Sequence, residues 1–507
     1  MTDRGRYSTP ALLALLAATA LLGSFLGASI DTEDAEGSSR RLKANVARLD
    51  PKTVVPRVGA DAIAAAAGGP NVIYLQHESL SGSIALNTKA GAAAMPFFQD
   101  KMKRDPDFYV FEHARTVSGN TLDALPALLT GCMPYNPDGE AWVHAPGRAV
   151  GHDFHQRGYP TASFTSRKLD KGITTGQWKV LHDLLVGSMD KVVDPISQKW
   201  PMDNKEGTDD RRMLPAFEEW LRELAEQGAS RPFYAQFYNF NQHYPYMKQK
   251  DAPAGTKRYY QSLATTDEFF RGLFDILEKT GRLQNTIIVG SGDHGDEPFK
   301  KGFYTRLKAL NSNILQPASY IYYPRQLMPD PSMADRLRSN TQKLMHTTDL
   351  YQTLQGVLRR TFAPVGAGGA PPLPTDRCIT GVDLAEVDVP EDRVVISWNF
   401  YSSKKGGSMF KGTYWALSTK ELSLYHRKQR KKVIHQGTNS VYVLKYGECT
   451  RDTSPKNWCQ ASVTEEYKEY FRDAIQWIKT APFYDEGVKT SKLVEYFSKK
   501  VGWKATA

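Results

Sequence analysis

Between residues 71 and 398 the chain alternates apolar runs of strand length with amphipathic stretches of helical length. The runs lie at 71–76 (NVIYLQ), 159–165, 232–240, 285–290, 318–323 and 393–398, and are rich in β-branched and aromatic residues. The stretches at 93–102, 209–226, 258–279 and 333–359 space their apolar residues by threes and fours, the period of a one-sided helix. Strands joined through helices run in the same direction and need cover on both sides. The predicted fold is therefore α/β, a doubly wound, mainly parallel sheet with helices on both faces. With 41% apolar residues over 507 positions, a disordered chain is excluded and one large core is expected.

The ends differ from this middle. Residues 10–30 (PALLALLAATALLGSFLGASI) form an uncharged run of about the length that spans a bilayer as a helix. Arg4 and Arg6 precede it, which keeps the short N-terminus cytoplasmic and sends the rest outward: a single-pass type II signal anchor, with a cleaved signal peptide as the alternative. Residues 31–69 read as a polar linker, 70–380 as the α/β domain, and 381–507 as a C-terminal part packed on it. Within that last part, 394–446 reads as a small antiparallel sheet and 464–481 as a helix. The four cysteines, Cys132, Cys378, Cys449 and Cys459, would meet oxidising conditions outside the cytosol. A net charge of +10 favours anionic partners, a membrane surface, a phosphate or sulfate ester or nucleic acid, and charge alone does not choose among them; nucleic acid is not the partner expected here.

In doubly wound sheets ligands bind beyond the carboxyl ends of the strands. After the first run come Gln76, His77, Glu78 and Ser79; after the third comes NFNQHYPY, with His243; after the fourth comes SGDHGD, with Asp293 and His294. An adjacent Asp and His offer one oxygen and one nitrogen to a common point, a set suited to one divalent ion, Mn²⁺ or Zn²⁺ before Mg²⁺ or Ca²⁺. Gly292 and Gly295 are expected to let the backbone turn tightly around the pair. Plainer roles exist for each residue: Asp293 as a helix cap, Glu78 as a surface carboxylate, His243 as a turn histidine beside Tyr244 and Tyr246.

The ordered series NVIYLQHES, MPFFQ, FEHARTVSGNTLDALPALLTG, RPFYAQFYNFNQHYPY, NTIIVGSGDHGD and LMHTTDLYQTLQGVL resembles the sulfatase-like branch of the alkaline phosphatase superfamily. Sulfatases of that fold carry Cys or Ser at the start of a Cys-x-Pro-x-Arg segment, converted to formylglycine and followed at a set distance by Leu-Thr-Gly. Counting back from Leu129-Thr130-Gly131 puts Thr121 at the convertible position, with Asp123 and Leu125 at the proline and arginine positions. Threonine cannot become formylglycine.

Threonine there is similar instead to lipoteichoic acid synthases and phosphoethanolamine transferases. That resemblance implies one divalent metal held by Glu78, Thr121, Asp293 and His294, with Thr121 as nucleophile. It implies that His243, in a His-x-Pro-Tyr segment, contacts the phosphate. The expected function is an extracytoplasmic, metal-dependent hydrolase or transferase of phosphoester or phosphodiester bonds, its substrate an anionic ester, a lipid head group or a glycan. The alternatives are a sulfuric ester hydrolase in the broad sense and a silent protein of this fold that binds an anionic lipid or glycan.

Overall fold

The computed structural model describes residues 68–132, 149–169, 176–227, 231–249, 252–299, 312–362, 381–391, 393 and four strands between 395 and 445. The apolar run at 10–30 and the helix expected at 464–481 lie outside these residues. Among the described residues no helix is long and apolar enough to cross a membrane. The chain divides into two units, one of residues 58–401, 413–429 and 438–507, the other of 1–57, 402–412 and 430–437.

Seven strands of the larger unit form one sheet: β1 (Asn71–His77), β2 (Phe108–Val110), β4 (Thr161–Thr165), β5 (Lys191–Val193), β6 (Tyr234–Asn239), β7 (Thr286–Gly292) and β8 (Ser319–Tyr322), in the order β2-β8-β7-β1-β6-β4-β5. The five from β7 to β5 are mutually parallel, while β8 runs antiparallel to both β7 and β2. The sheet is thus mixed and mainly parallel. Strands β3 (His113–Arg115) and β9 (Leu344–His346) pair in parallel as a separate ribbon. Four further strands, β10 (Val395–Lys405), β11 (Ser408–Ser418), β12 (Leu422–Lys431) and β13 (Ile434–Lys445), make a second sheet in that order.

Side chains along a strand alternate between faces, and β1 feeds two cores in this way. Val72 and Tyr74 pack with Leu125, Leu128 and Leu129 of the Thr121–Thr130 helix on one side. Ile73 and Leu75 pack on the other with Phe269, Phe270 and Leu273 of the Arg258–Lys279 helix. Every residue of β1 is buried, which explains its unbroken apolar run. Each such buried Leu, Ile or Phe side chain contributes about 1.5–3 kcal/mol, so the central strand ends are held rigidly in place.

The helix expected over 93–102 is two, Lys89–Ala94 and Pro96–Arg104, because Pro96 lacks the N–H to continue the first and suits the first turn of the second. The single helix expected over 333–359 is also broken, into Ser332–Asn340, β9 and Thr348–Thr361. The Asn340 amide turns aside to bond the Leu384 and Val387 carbonyls, and the Asp349 carboxylate reaches back to the His346 N–H at 2.8 Å. Polar side chains that bond to backbone compete with a helix, which the apolar spacing alone does not reveal.

Candidate active site at the carboxyl ends of the strands

Strands β1 and β7 are hydrogen-bonded neighbours in register, His77 beside Gly292, so the residues following them emerge side by side. Glu78 continues β1 and Asp293 continues β7, the latter still donating its N–H to the His77 carbonyl at 2.9 Å. Two residues distant in sequence thereby share one place at the carboxyl ends of the strands. Ser79 takes a positive φ of 59° there, a conformation that costs a non-glycine residue about 1 kcal/mol or more. In return its N–H donates to Asp293 Oδ1 at 2.8 Å and its carbonyl accepts from Tyr259.

The glycines of SGDHGD serve close packing. Neither Gly292 nor Gly295 has a positive φ; a Cβ on Gly295 would fall on the Asn313 carbonyl oxygen, and one on Gly292 would crowd the Leu80 carbonyl. The tight turn expected there thus needs glycine for the close approach of neighbouring backbone, with no positive φ at either position.

Thr121 is the first residue of the Thr121–Thr130 helix. The cap is Asn120, whose side chain accepts from the Leu122 N–H at 3.2 Å. With capping done by its neighbour, the Thr121 hydroxyl donates to Glu78 Oε1 at 2.8 Å and meets His294 Nε2 at 3.1 Å. His294 Nε2 also lies 3.7 Å from Glu78 Oε1 and 3.5 Å from Asp293 Oδ2. The structure therefore brings together Glu78, Thr121, Asp293 and His294. His243 stands to one side: it stacks on Phe240 at 4.3 Å and makes no hydrogen bond with the four among the described residues.

Electrostatics mark this cluster as unbalanced. Burial pushes the Asp293 carboxyl up, helped by the Glu78 charge, to about 7. Burial also pushes the Glu78 carboxyl up, but the charges of His243 and His294, the Tyr238 hydroxyl and Arg167 outweigh it and hold that group below its ordinary value. His294 is lowered by burial and raised more by Asp293 and Glu78, ending above its ordinary value.

These residues suit a divalent cation. One ligand atom each from Glu78, Asp293 and His294 falls within 4.8 Å of the others, and all three residues are buried. Asp293 Oδ2 is buried and accepts no hydrogen bond, a costly state for a carboxylate oxygen that a cation would relieve. His294 Nδ1 faces the Gly295 carbonyl at 2.6 Å; a carbonyl only accepts, so Nδ1 carries the proton and Nε2 is the atom left to ligate.

Reading the sequence missed several contributors. Tyr238 of β6 donates its hydroxyl to Glu78 Oε2 and is itself fully buried. Asp210 accepts from the Ser166 hydroxyl at 2.5 Å and the Phe240 N–H at 2.7 Å, tying the end of β4 to the end of β6. Arg167, just past β4, lies over the Phe240 ring at 5.4 Å. Applying the strand-end rule to the second apolar run as well would have found Arg167.

A family model described as Sulfatase matches residues 70–354, more than half of the chain and all of the site. The chain belongs to the sulfatase family, within the alkaline phosphatase superfamily. Among individual relatives, lipoteichoic acid synthase 2 of Bacillus subtilis is 28% identical over 244 residues, which cover 45% of this chain and 36% of that protein. The match thus spans about a third of the relative's length. Among solved structures, a Bacteroides thetaiotaomicron protein from a core locus for metabolism of multiple glycosaminoglycans superposes with a TM-score of 0.57 at 13% identity, covering 84% of this chain and 99% of that one. The phosphonate monoester hydrolase of Agrobacterium radiobacter gives 0.53 at 11% identity, covering 83% and 97%. At such identities the likeness is one of fold. Membership of this family makes the chain a sulfatase-family enzyme, a hydrolase or transferase.

Proposed function

We propose that the protein is a metal-dependent phosphoester or phosphodiester hydrolase or transferase that uses Thr121 as its nucleophile. The observation that carries this reading is the Thr121 hydroxyl, bonded to Glu78 Oε1 and facing His294 Nε2 at the start of a ten-residue helix. Glu78, Asp293 and His294 would hold one divalent ion, Mn²⁺ or Zn²⁺ by their mixed donor set, with Thr121 beside them. Such an ion supplies neutralisation of the attacked group's charge and a lowered hydroxyl pKa.

The chain's own groups account for the rest. On attack, the Thr121 Oγ1–phosphorus bond forms as the bond from phosphorus to the leaving oxygen breaks. The hydroxyl proton has an acceptor already in contact, Glu78 Oε1. N–H groups of the helix's first turn favour the gathering negative charge. His243 donates a hydrogen bond to the phosphoryl oxygens or a proton to the leaving oxygen. Water or an acceptor hydroxyl then attacks the phosphothreonine, and the Thr121 oxygen departs and recovers its proton. Because threonine cannot become formylglycine, a phosphoryl group suits this site better than sulfate-ester chemistry that depends on that residue.

The compartment is read as extracytoplasmic. Residues 10–30 would anchor the chain, 31–69 would space it from the membrane, and 381–507 would pack on the 70–380 domain. Cys132, just past the Thr121 helix, is disulfide-bonded, which accords with an oxidising compartment. The anionic substrate, a lipid head group or glycan ester, would then lie at the membrane's outer face.

The test is turnover of aryl phosphate, phosphodiester and sulfate esters with added Mn²⁺ by wild type and Thr121→Ala. Phosphodiester turnover is expected to fall by about 10³-fold or more in the variant. Undiminished turnover, or equal wild-type rates on the sulfate ester, would overturn the proposal.

A further inference from the structure

Beside Glu78, Asp293 and His294, two side-chain nitrogens converge on one oxygen. Arg167 Nη2 and His243 Nε2 each lie 3.9 Å from Glu206 Oε2. The Phe240 ring joins the pair, with His243 stacked at 4.3 Å and the Arg167 guanidinium over it at 5.4 Å. Both charges act on Glu78, so both lie within electrostatic reach of the Thr121 hydroxyl's partner. Asp210 ties the two segments together, through Ser166 next to Arg167 and through the Phe240 N–H.

Glu206 is held differently. Its backbone is pinned: its carbonyl accepts from the Lys168 N–H at 2.8 Å and its N–H donates to Asn204 Oδ1 at 2.8 Å. The side chain is half exposed and its contacts with Arg167 and His243 are long, and such contacts are weak in solvent. The carboxylate can therefore leave while the loop stays.

Resting on the phosphoryl reading above, which already gives His243 the phosphoryl oxygens, we infer that Arg167 joins it in seating their charge, and that Glu206 fills this seat in the ligand-free protein. A tetrahedral oxyanion offers what the carboxylate offers, two oxygens on one charged centre, and the arginine fork matches either. Substrate binding then exchanges one anion for another. Glu206 swings into solvent, and the energy of displacing it is subtracted from the affinity of every anionic ligand.

Binding of inorganic phosphate to the Mn²⁺-loaded full chain, measured by calorimetry, tests this. Arg167→Gln is expected to weaken phosphate binding about tenfold while Mn²⁺ affinity holds within about twofold. Glu206→Gln is expected to tighten phosphate binding about threefold or more, and that gain should vanish in the Arg167→Gln background. Should Arg167→Gln not fold, Arg167→Lys keeps the charge without the fork and should weaken phosphate by about threefold. Unchanged phosphate affinity in the arginine variants removes the seat. Affinity in Glu206→Gln no tighter than wild type removes the occupant. Neither result depends on Thr121, so a wild type that turns over the phosphodiester beside an Arg167 variant that binds phosphate normally sinks this inference alone. Thr121→Ala turning over as wild type sinks the nucleophile alone.

Discussion

The two groups of charged side chains at the strand ends are built on opposite terms. On one side, Glu78, Asp293 and His294 are buried, and their atoms are fixed by the Ser79 and His294 N–H groups, the Gly295 carbonyl and the Tyr238 hydroxyl. On the other, Arg167, His243 and Glu206 keep 15%, 24% and 52% of their side chains exposed and touch one another at long range. Charges taken out of water need several hydrogen bonds apiece, and strand ends in a parallel sheet supply them from backbone. Charges left at the water's edge need fewer and can rearrange. The difference teaches that polar groups at buried strand ends are held still, while side chains at the loop edge keep room to rearrange.

The comparison can be broken first at Asp293. Asp293→Asn keeps the acceptor for two N–H groups and removes the orphan oxygen, so Mn²⁺ affinity measured by competition with a chelator should fall about 100-fold or more. The metal-free variant should melt no lower than wild type, since repulsion between two buried carboxylates is relieved. A variant that binds Mn²⁺ as tightly as wild type would show that this corner is not a metal site.

Tyr238→Phe sharpens the same side. Without the hydroxyl, Glu78 Oε2 loses its donor in a buried place, and Mn²⁺ affinity should drop about tenfold. Turnover at saturating Mn²⁺ should recover most of its wild-type value. Lost turnover that added metal does not restore would point to a role beyond positioning Glu78.

The smallest effect concerns Asp210, which braces the exposed side. Burial pushes its carboxyl up to about 7 from an ordinary 3.8, even with hydrogen bonds from Ser166 and Phe240 pulling it down. The folded state thus holds this proton more tightly than the unfolded state. Its contribution to stability is full below about pH 4, declines as pH rises, and is gone above about 7. The melting temperature of wild type should therefore fall relative to Asp210→Asn across that window. Parallel curves for the two proteins would rule out a neutral Asp210 in the fold.

Much of this was legible in the chain. The long strands β1, β4, β6 and β7 lie within or beside the apolar runs that announce them, and the 258–279 stretch is the helix Arg258–Lys279. Strands β2, β3, β5 and β9 are three residues each, too short for any period to show. The break at β9 was hidden because Asn340 and Asp349 act through hydrogen bonds to partners that spacing does not reveal. In the site, the Asp293-His294 pair and Glu78 were readable from their places after strands, and Thr121 from its distance to Leu-Thr-Gly.

By itself the sequence determined which residue types stand at which strand ends, and that the decisive position holds a threonine. These are local properties, set by side-chain chemistry and by periods of two and 3.6. Only the tertiary structure decided that β1 lies between β6 and β7, which puts Tyr238 on one flank of Glu78 and Asp293 on the other. It alone set Glu206 between Arg167 and His243, and pushed the Asp293 carboxyl above its ordinary range through burial and the Glu78 charge. Strand order and desolvation depend on what distant segments bring to one point, and no window of sequence contains that sum.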